Sequence, residues 1–335
     1  MISQRRSDRP RWVSRGLPWA LLTLVAGLAA LPLAALRGPS GGWVNDSLLF
    51  SLTQMLMLIT LASNWNFVSG VMGYVDFGHA AFFGLGAYST AILMTKAGWP
   101  FLPTFAVGAL TAALAALAIG RATMHLKGPY FSIAMLGTFA ALREIVRVAR
   151  PLTGGGPGMS LPPYLNRPLF YYLALAQALL VVALYRWLKG TEFGAMMLGI
   201  RENERGAEMR GVNTLLVKLT AFTVAAVSTA LVGCMWAYQN TFVDPDLVFL
   251  DSRTIEMALA SVLGGLGTIA GPVVGGGFLY WMRDFVWANF LQWHLVLEGT
   301  ILIAVVLAMP NGIMSLLGIR TGIDPRRLWA RREGR

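Results

Sequence analysis

Residues 254–282 read TIEMALASVLGGLGTIAGPVVGGGFLYWM. As one helix this stretch would be about 43 Å long at ~1.5 Å per residue, against a bilayer hydrocarbon core of roughly 30 Å. Pro272 and the cluster Gly264, Gly265, Gly267, Gly271 and Gly275–Gly277 fall around its middle. Proline removes a backbone donor and glycine weakens a helix interior. The stretch is therefore expected as two short crossings joined by a break.

The rest of the chain has the same apolar character. Of 335 residues, 56% are hydrophobic and 13% charged, and the mean hydropathy is +0.60. Soluble domains carry about 25% charged residues, so an ordinary soluble enzyme is excluded. Apolar runs near 18–36, 48–69, 74–95, 101–120, 130–149, 168–188, 214–238 and 293–309 are each close to the ~20 residues that span a bilayer. With the two short crossings they make ten; nine or eleven are the neighbouring counts. The expected fold is an all-α polytopic membrane protein of about ten transmembrane helices, with broken or short helices near 70–86 and 254–284.

Charge placement orients these spans. The net charge of +11 is concentrated in the tails, with Arg5, Arg6, Arg9, Arg11 and Arg15 before the first run and Arg320, Arg326, Arg327, Arg331, Arg332 and Arg335 after the last. Basic flanks mark the cytoplasmic side, so both termini read as cytoplasmic, which an even count satisfies. No nucleic-acid role is implied. Residues 1–17 and 316–335 are read as basic tails around one membrane domain, 18–315. The first run exceeds the ~7–15 apolar residues of a cleaved signal and is read as a retained span. Arg143, Arg147 and Arg150 resist the charge rule, because they fall at the outer end of the fifth span. They face either a polar interior or a locally different topology. The single cysteine, Cys234, excludes an intrachain disulfide.

Three motifs carry candidate function. GYVDFGHAAFFGLGAY (73–88) puts Asp76 and His79 three residues apart, on one face if helical. A buried acid in a membrane is costly and marks a polar interior or path. Lining of a translocation path and capping at a helix end both fit the pair; a metal site does not, with His125 and His294 remote in sequence. Tyr74, Asp76, His79, Phe82, Tyr88 and Glu144 are the candidate path residues. Gly84 and Gly86 suit helix packing in lipid, although Gly84-Leu85-Gly86 echoes Gly265-Leu266-Gly267, as an internal repeat would. Glu144 lies one turn from Arg147, which also suits a salt bridge. The longest polar stretch, 189–218, contains IRENERGAEMRGVN (200–213), whose charges alternate in sign and whose Gly211 suits a helix C-terminus. It reads as one or two cytoplasmic helices, either a solvated linker or a docking element. No G-x-x-x-x-G-K-[ST] phosphate loop occurs, so ATP hydrolysis is not expected of this chain.

GYVDFGHAAFFGLGAYSTAIL, LKGPYFSIAMLGTFAALREIVRVARPLTGGGPGMSLP, IRENERGAEMRGVN and SVLGGLGTIAGPVVGG follow one another in that order. Together they resemble the permeases of branched-chain amino-acid ABC importers, in the LivM-like branch, over roughly residues 45–315. The resemblance implies a bacterial inner-membrane importer subunit that is not itself an enzyme. It implies a second homologous permease, two cytoplasmic ATP-binding subunits holding ATP and Mg, and a periplasmic substrate-binding protein. The chain itself would hold no cofactor and no metal. Cargo would be leucine, isoleucine or valine, or related small amino acids, amides or urea. The family's coupling element carries over onto Arg201, Glu202, Asn203, Glu204, Ala207, Glu208 and Gly211. The sequence departs from the family pattern at Tyr74, where a glutamine is usual, and at Asp76, where a serine is usual, while Gly78 and His79 match. An ion-coupled secondary transporter using Asp76 or Glu144 is the alternative reading.

Overall fold

The computed structural model describes residues 46–163 and 166–290, with short pieces between 292 and 317. The expected first span, both tails and much of the last span lie outside the described residues. Helix α1 (Asp46–Trp65) runs into a π-helical turn at Asn66–Val71. It is followed by α2 (Ala80–Lys96), α3 (Phe101–Thr123), α4 (Pro129–Val148) and the single turn α5 (Arg150–Thr153). After the two-residue strand β1 (Met159–Ser160) come α6 (Arg167–Lys189), α7 (Glu192–Met209) and α8 (Thr214–Asn240). Strand β2 (Phe242–Val243), the short α9 (Pro245–Val248), α10 (Asp251–Gly264) and α11 (Gly271–Asn289) complete the bundle. The all-α expectation holds; the two-residue β1 and β2 pair antiparallel through Met159 and Val243.

Among the described residues, four helices are long and apolar enough to cross a membrane: Ser47–Val71, Phe101–Thr123, Arg167–Lys189 and Thr214–Asn240. Helix α8 is the axis, packed against α2, α3 and α1. Lipid tails offer no hydrophobic drive between helices, so close van der Waals approach holds such bundles together. The α2–α8 crossing has that form: a Cβ on Gly86 would sit 1.9 Å from the Ala230 carbonyl oxygen, and one on Gly233 2.0 Å from that of Phe83. Gly84 likewise faces the Phe249 ring. Gly84 and Gly86 are therefore packing residues inside a continuous helix. The expected echo has no conformational counterpart, because Gly265 and Gly267 lie in a loop with φ of 129° and 77°.

The 254–282 stretch divides as its glycines demand. Helix α10 is about 21 Å long and α11 about 28 Å, and they meet as a hairpin in which a Cβ on Gly264 would collide with the Gly271 carbonyl. Pro272 occupies the first turn of α11, where its missing donor costs nothing. The span expected at 74–95 starts six residues late, at Ala80. Residues 72–79 are irregular because side chains satisfy their buried backbone: Ser132 Oγ donates to the Val75 carbonyl, Trp65 Nε1 to that of Asp76, and Asp76 Oδ1 accepts from Gly78 N.

Successive helices alternate in direction. One end of the bundle gathers 70–79, 123–128, 189–213 and 265–270; the other gathers 96–100, 149–163, 166–167 and 240–251. At this second end Arg143 and Arg147 each donate to Asp246 Oδ1 at 2.5 Å, and Arg143 holds that carboxyl below its ordinary pKa. Two of the three arginines that resisted the charge rule, Arg143 and Arg147, thus face acids exposed at the surface.

Candidate functional site

Polar helix α7 lies across the first end of the bundle. It is two helical segments that meet at a kink, within the one or two helices the sequence allows. Asn203 is extended at φ −161° and ψ 99°, and its Oδ1 accepts from Gly206 N at 3.1 Å, capping the second half as an N-cap side chain does. Gly211, at φ 85°, ends the helix, with Val212 N returning to the Ala207 carbonyl. Asn213 Oδ1 then caps α8 through Leu216 N, and Thr214 Oγ1 donates to Glu208 Oε1 at 2.9 Å. Little slack remains between α7 and the central helix.

The kinked helix presents two different faces. Glu202, Asn203, Arg205, Glu208, Met209 and Arg210 point outward, Met209 with 85% of its surface exposed. Arg201, Glu204 and Ala207 turn toward the bundle. Glu204 Oε2 accepts from Tyr74 Oη and Oε1 from Lys218 Nζ, each at 2.7 Å, and Lys127 lies 3.7 Å away. Burial alone pushes the Glu204 carboxyl up, but the hydrogen bonds from Lys218 and Tyr74 and the two lysine charges outweigh it and hold it below the ordinary value. Lys218 also reaches the Met124 carbonyl at 2.5 Å and Tyr74 Oη at 3.1 Å. This buried lysine sits inside the apolar run 214–238, so the sequence reading passed over it. A single charged residue in such a run, spaced fourteen positions from an acid, was the available signal.

Arg201 and its neighbour Lys189 hold the two helix breaks. Arg201 Nη1 donates to the Gly70 carbonyl at 2.7 Å and Lys189 Nζ to the Gly267 carbonyl at 2.6 Å. Burial pushes the Arg201 guanidinium below its ordinary pKa. The breaks are also joined directly: Asn66 Nδ2 donates to the Thr268 carbonyl at 2.7 Å, and Gly267 N donates to Asn66 Oδ1 at 2.8 Å. One amide side chain thus bridges 66–79 and 265–270 with both of its functions.

A second polar constellation is wholly interior. Asp76 and His79 are both 0% exposed. His79 Nδ1 lies 2.9 Å from Asp76 Oδ2 and Nε2 2.9 Å from Thr229 Oγ1. Asn64 Nδ2 donates to Thr229 Oγ1 at 3.0 Å, and Tyr185 Oη to Asn64 Oδ1 at 2.7 Å. One assignment of hydrogens satisfies the whole chain, running Tyr185 to Asn64 to Thr229 to His79 to Asp76, each donating to the next. The arrangement ties α6, α1, α8 and the irregular 72–79 segment together.

The family described as "Branched-chain amino acid transport system / permease component" matches residues 47–309. The chain belongs to that family. Among its relatives, the high-affinity branched-chain amino acid transport system permease protein LivM of Escherichia coli (strain K12) is 24% identical over 296 residues, covering 79% of this chain and 69% of the relative. LivH of the same organism is 22% identical over 307 residues, covering 81% and 97%. The autoinducer 2 import system permease protein LsrC of Yersinia pseudotuberculosis (serotype O:1b, strain IP 31758) is 26% identical over 282 residues, covering 77% and 78%. No solved structure matches.

In this permease the six candidate path residues do not converge. Tyr74 belongs to the Glu204 cluster. Asp76 and His79 form the interior relay, so both departures from the family pattern fall inside satisfied polar networks. Phe82 is buried edge-on to His79 and Phe222, and Tyr88 beside Phe249. Glu144 is exposed and pairs with Arg147 at 3.7 Å. In this conformation five of the six are buried and Glu144 is exposed. The small-residue positions divide likewise: Gly84 and Gly86 pack helices, while Gly264, Gly265, Gly267, Gly271 and Pro272 build the break. Among the described residues no group of His, Cys, Asp and Glu could hold a metal ion.

Proposed function

We propose that this chain is the membrane-spanning subunit of an ATP-binding cassette importer that carries branched-chain amino acids into the cytoplasm by alternating access. A second homologous permease completes the passage, two cytoplasmic subunits bind ATP and Mg, and a periplasmic binding protein delivers cargo. The protein resides in the bacterial inner membrane, with both termini and α7 in the cytoplasm. The relatives' names supply the cargo class. One observation carries the mechanism: α7 turns a charged, unburied face outward while Arg201, Glu204 and the adjacent Lys189 grip both helix breaks and the 123–128 turn. A partner seated on that face would move both breaks at once, and a docking event would become a coupling free energy between two sites. The ion-coupled alternative is not favoured, because Asp76 is internally satisfied and Glu144 is paired at the surface.

The tagged chain purified from native membranes in mild detergent is expected to bring a P-loop ATPase and a second permease with it. Met209→Asp is expected to weaken the ATPase association while the second permease remains. Uptake in proteoliposomes should follow luminal ATP and survive an uncoupler. Uptake abolished by the uncoupler at constant ATP would overturn the reading.

A further inference from the structure

A cavity of about 390 Å³ opens between α1, α2, α8, α10 and α11, away from α7. It falls within the ~300–1,000 Å³ of small-molecule sites. Met57, Leu58 and Leu61 of α1 form an apolar wall. Facing them is a set of charges that the transport reading has not used. Arg253 lies 4.0 Å over the Phe83 ring and 5.2 Å over that of Trp236. Its Nη2 donates to the Leu247 carbonyl at 3.3 Å, and its Nε is buried with no hydrogen-bond partner. Glu256 pairs with Arg283 at 2.9 Å, and Asp284 adds a second exposed carboxylate to the lining.

We propose that this cavity binds the cargo as a free α-amino-acid zwitterion. This rests on the importer reading and deepens it. Two cations and two acids give the lining no net charge, which suits a ligand that also has none. The Arg253 guanidinium, held in plane by two aromatic rings, takes the α-carboxylate through its unsatisfied Nε edge, the fork geometry that arginine offers carboxylates. Asp284 and Glu256 take the ammonium group. The aliphatic side chain lies against Met57, Leu58 and Leu61. Phe50, Trp236, Arg253 and Asp284 of the lining fall toward the helix ends opposite α7.

The test uses the whole importer in proteoliposomes. Cys234 is the single cysteine of this chain and is buried, and Gln54 lines the cavity, so Gln54→Cys gives this chain one accessible thiol, in the cavity wall, which is read on this chain after its separation from the other subunits. L-Leucine should protect this thiol from N-ethylmaleimide. Isoamylamine, which lacks the carboxylate, and 4-methylpentanoate, which lacks the amine, should protect at least about tenfold more weakly. Arg253→Gln should raise the leucine concentration for half-protection roughly ten- to hundredfold. If that variant does not fold, the analogue comparison on the Arg253 protein decides alone. Equal protection by leucine and both analogues, or no protection by any α-amino acid, overturns the proposal. The importer reading fails separately: protection by leucine with no ATP-dependent uptake would keep the site and discard the importer.

Discussion

Lys218 is the residue on which the α7 contact depends most. It is buried, it carries a full charge, and its three partners are an acid, a phenol and a backbone carbonyl. Removing one side of a buried ion pair strands the other, at a cost of about 3–5 kcal/mol. Lys218→Met should therefore lower the midpoint of thermal unfolding in detergent by several degrees, and Lys218→Met with Glu204→Gln should recover part of the loss. Acid should act in the same direction. The Glu204 carboxyl is held below its ordinary value of 4.5, so its stabilisation is complete above that value and is lost as pH falls through the lower folded value. The stability gap between wild type and Glu204→Gln should be constant near neutrality and close below about pH 4.5. A gap independent of pH would rule out the ionised Glu204 as its source. Legibility at this scale was uneven. Arg201 and Glu204 stood out in a polar run, whereas Lys218 was hidden by apolar neighbours. Asp76 and His79 were readable as a pair, but their spacing suggested a helix face and the contact comes from an irregular turn. Thr229, which completes it, is 150 positions from His79, a distance that no local pattern spans.

Among the elements, the α2–α8 crossing and the 265–270 break behave differently under substitution. Gly86 faces main chain, which cannot rotate aside. Gly86→Val should separate the helices and cost about 3 kcal/mol or more, seen as lower yield and a lower unfolding midpoint. Gly267→Ala adds a methyl group at φ 77°, 3.0 Å from Arg201 Nη1 and from the Gly70 carbonyl oxygen. It should leave global unfolding nearly intact while reducing ATP-driven uptake severalfold, because the strain falls at the bridge between the breaks. Wild-type uptake by Gly267→Ala would separate that bridge from transport. The division of 254–282 was legible because glycine, proline and a length limit all act locally. The late start of α2 was not: Ser132 and Trp65 supply the hydrogen bonds that release residues 72–79 from helix, and both come from other elements.

At the scale of the molecule, the bundle separates its tasks by end. The α7 end is built from charged side chains that reach backbone, and the opposite end holds the charged cavity and the Asp246 ion pairs. Those exposed pairs contribute little each, so Asp246→Asn should shift the unfolding midpoint only slightly and lose that small effect in high salt. The class of fold followed from composition and run length alone, since lipid imposes one period on every span. Which helices touch was not readable, because small residues mark close contacts without naming the partner. The grips at the α7 end have a consequence for how such proteins diversify. Arg201, Lys189 and Lys218 all hold main-chain oxygens, of Gly70, Gly267 and Met124. A main-chain oxygen persists whatever side chain its residue carries. Apart from Gly70 and Gly267 themselves, where a Cβ would strike Asn66 or crowd Arg201, the receiving segments can therefore change composition without rewiring the contacts between α7 and the bundle.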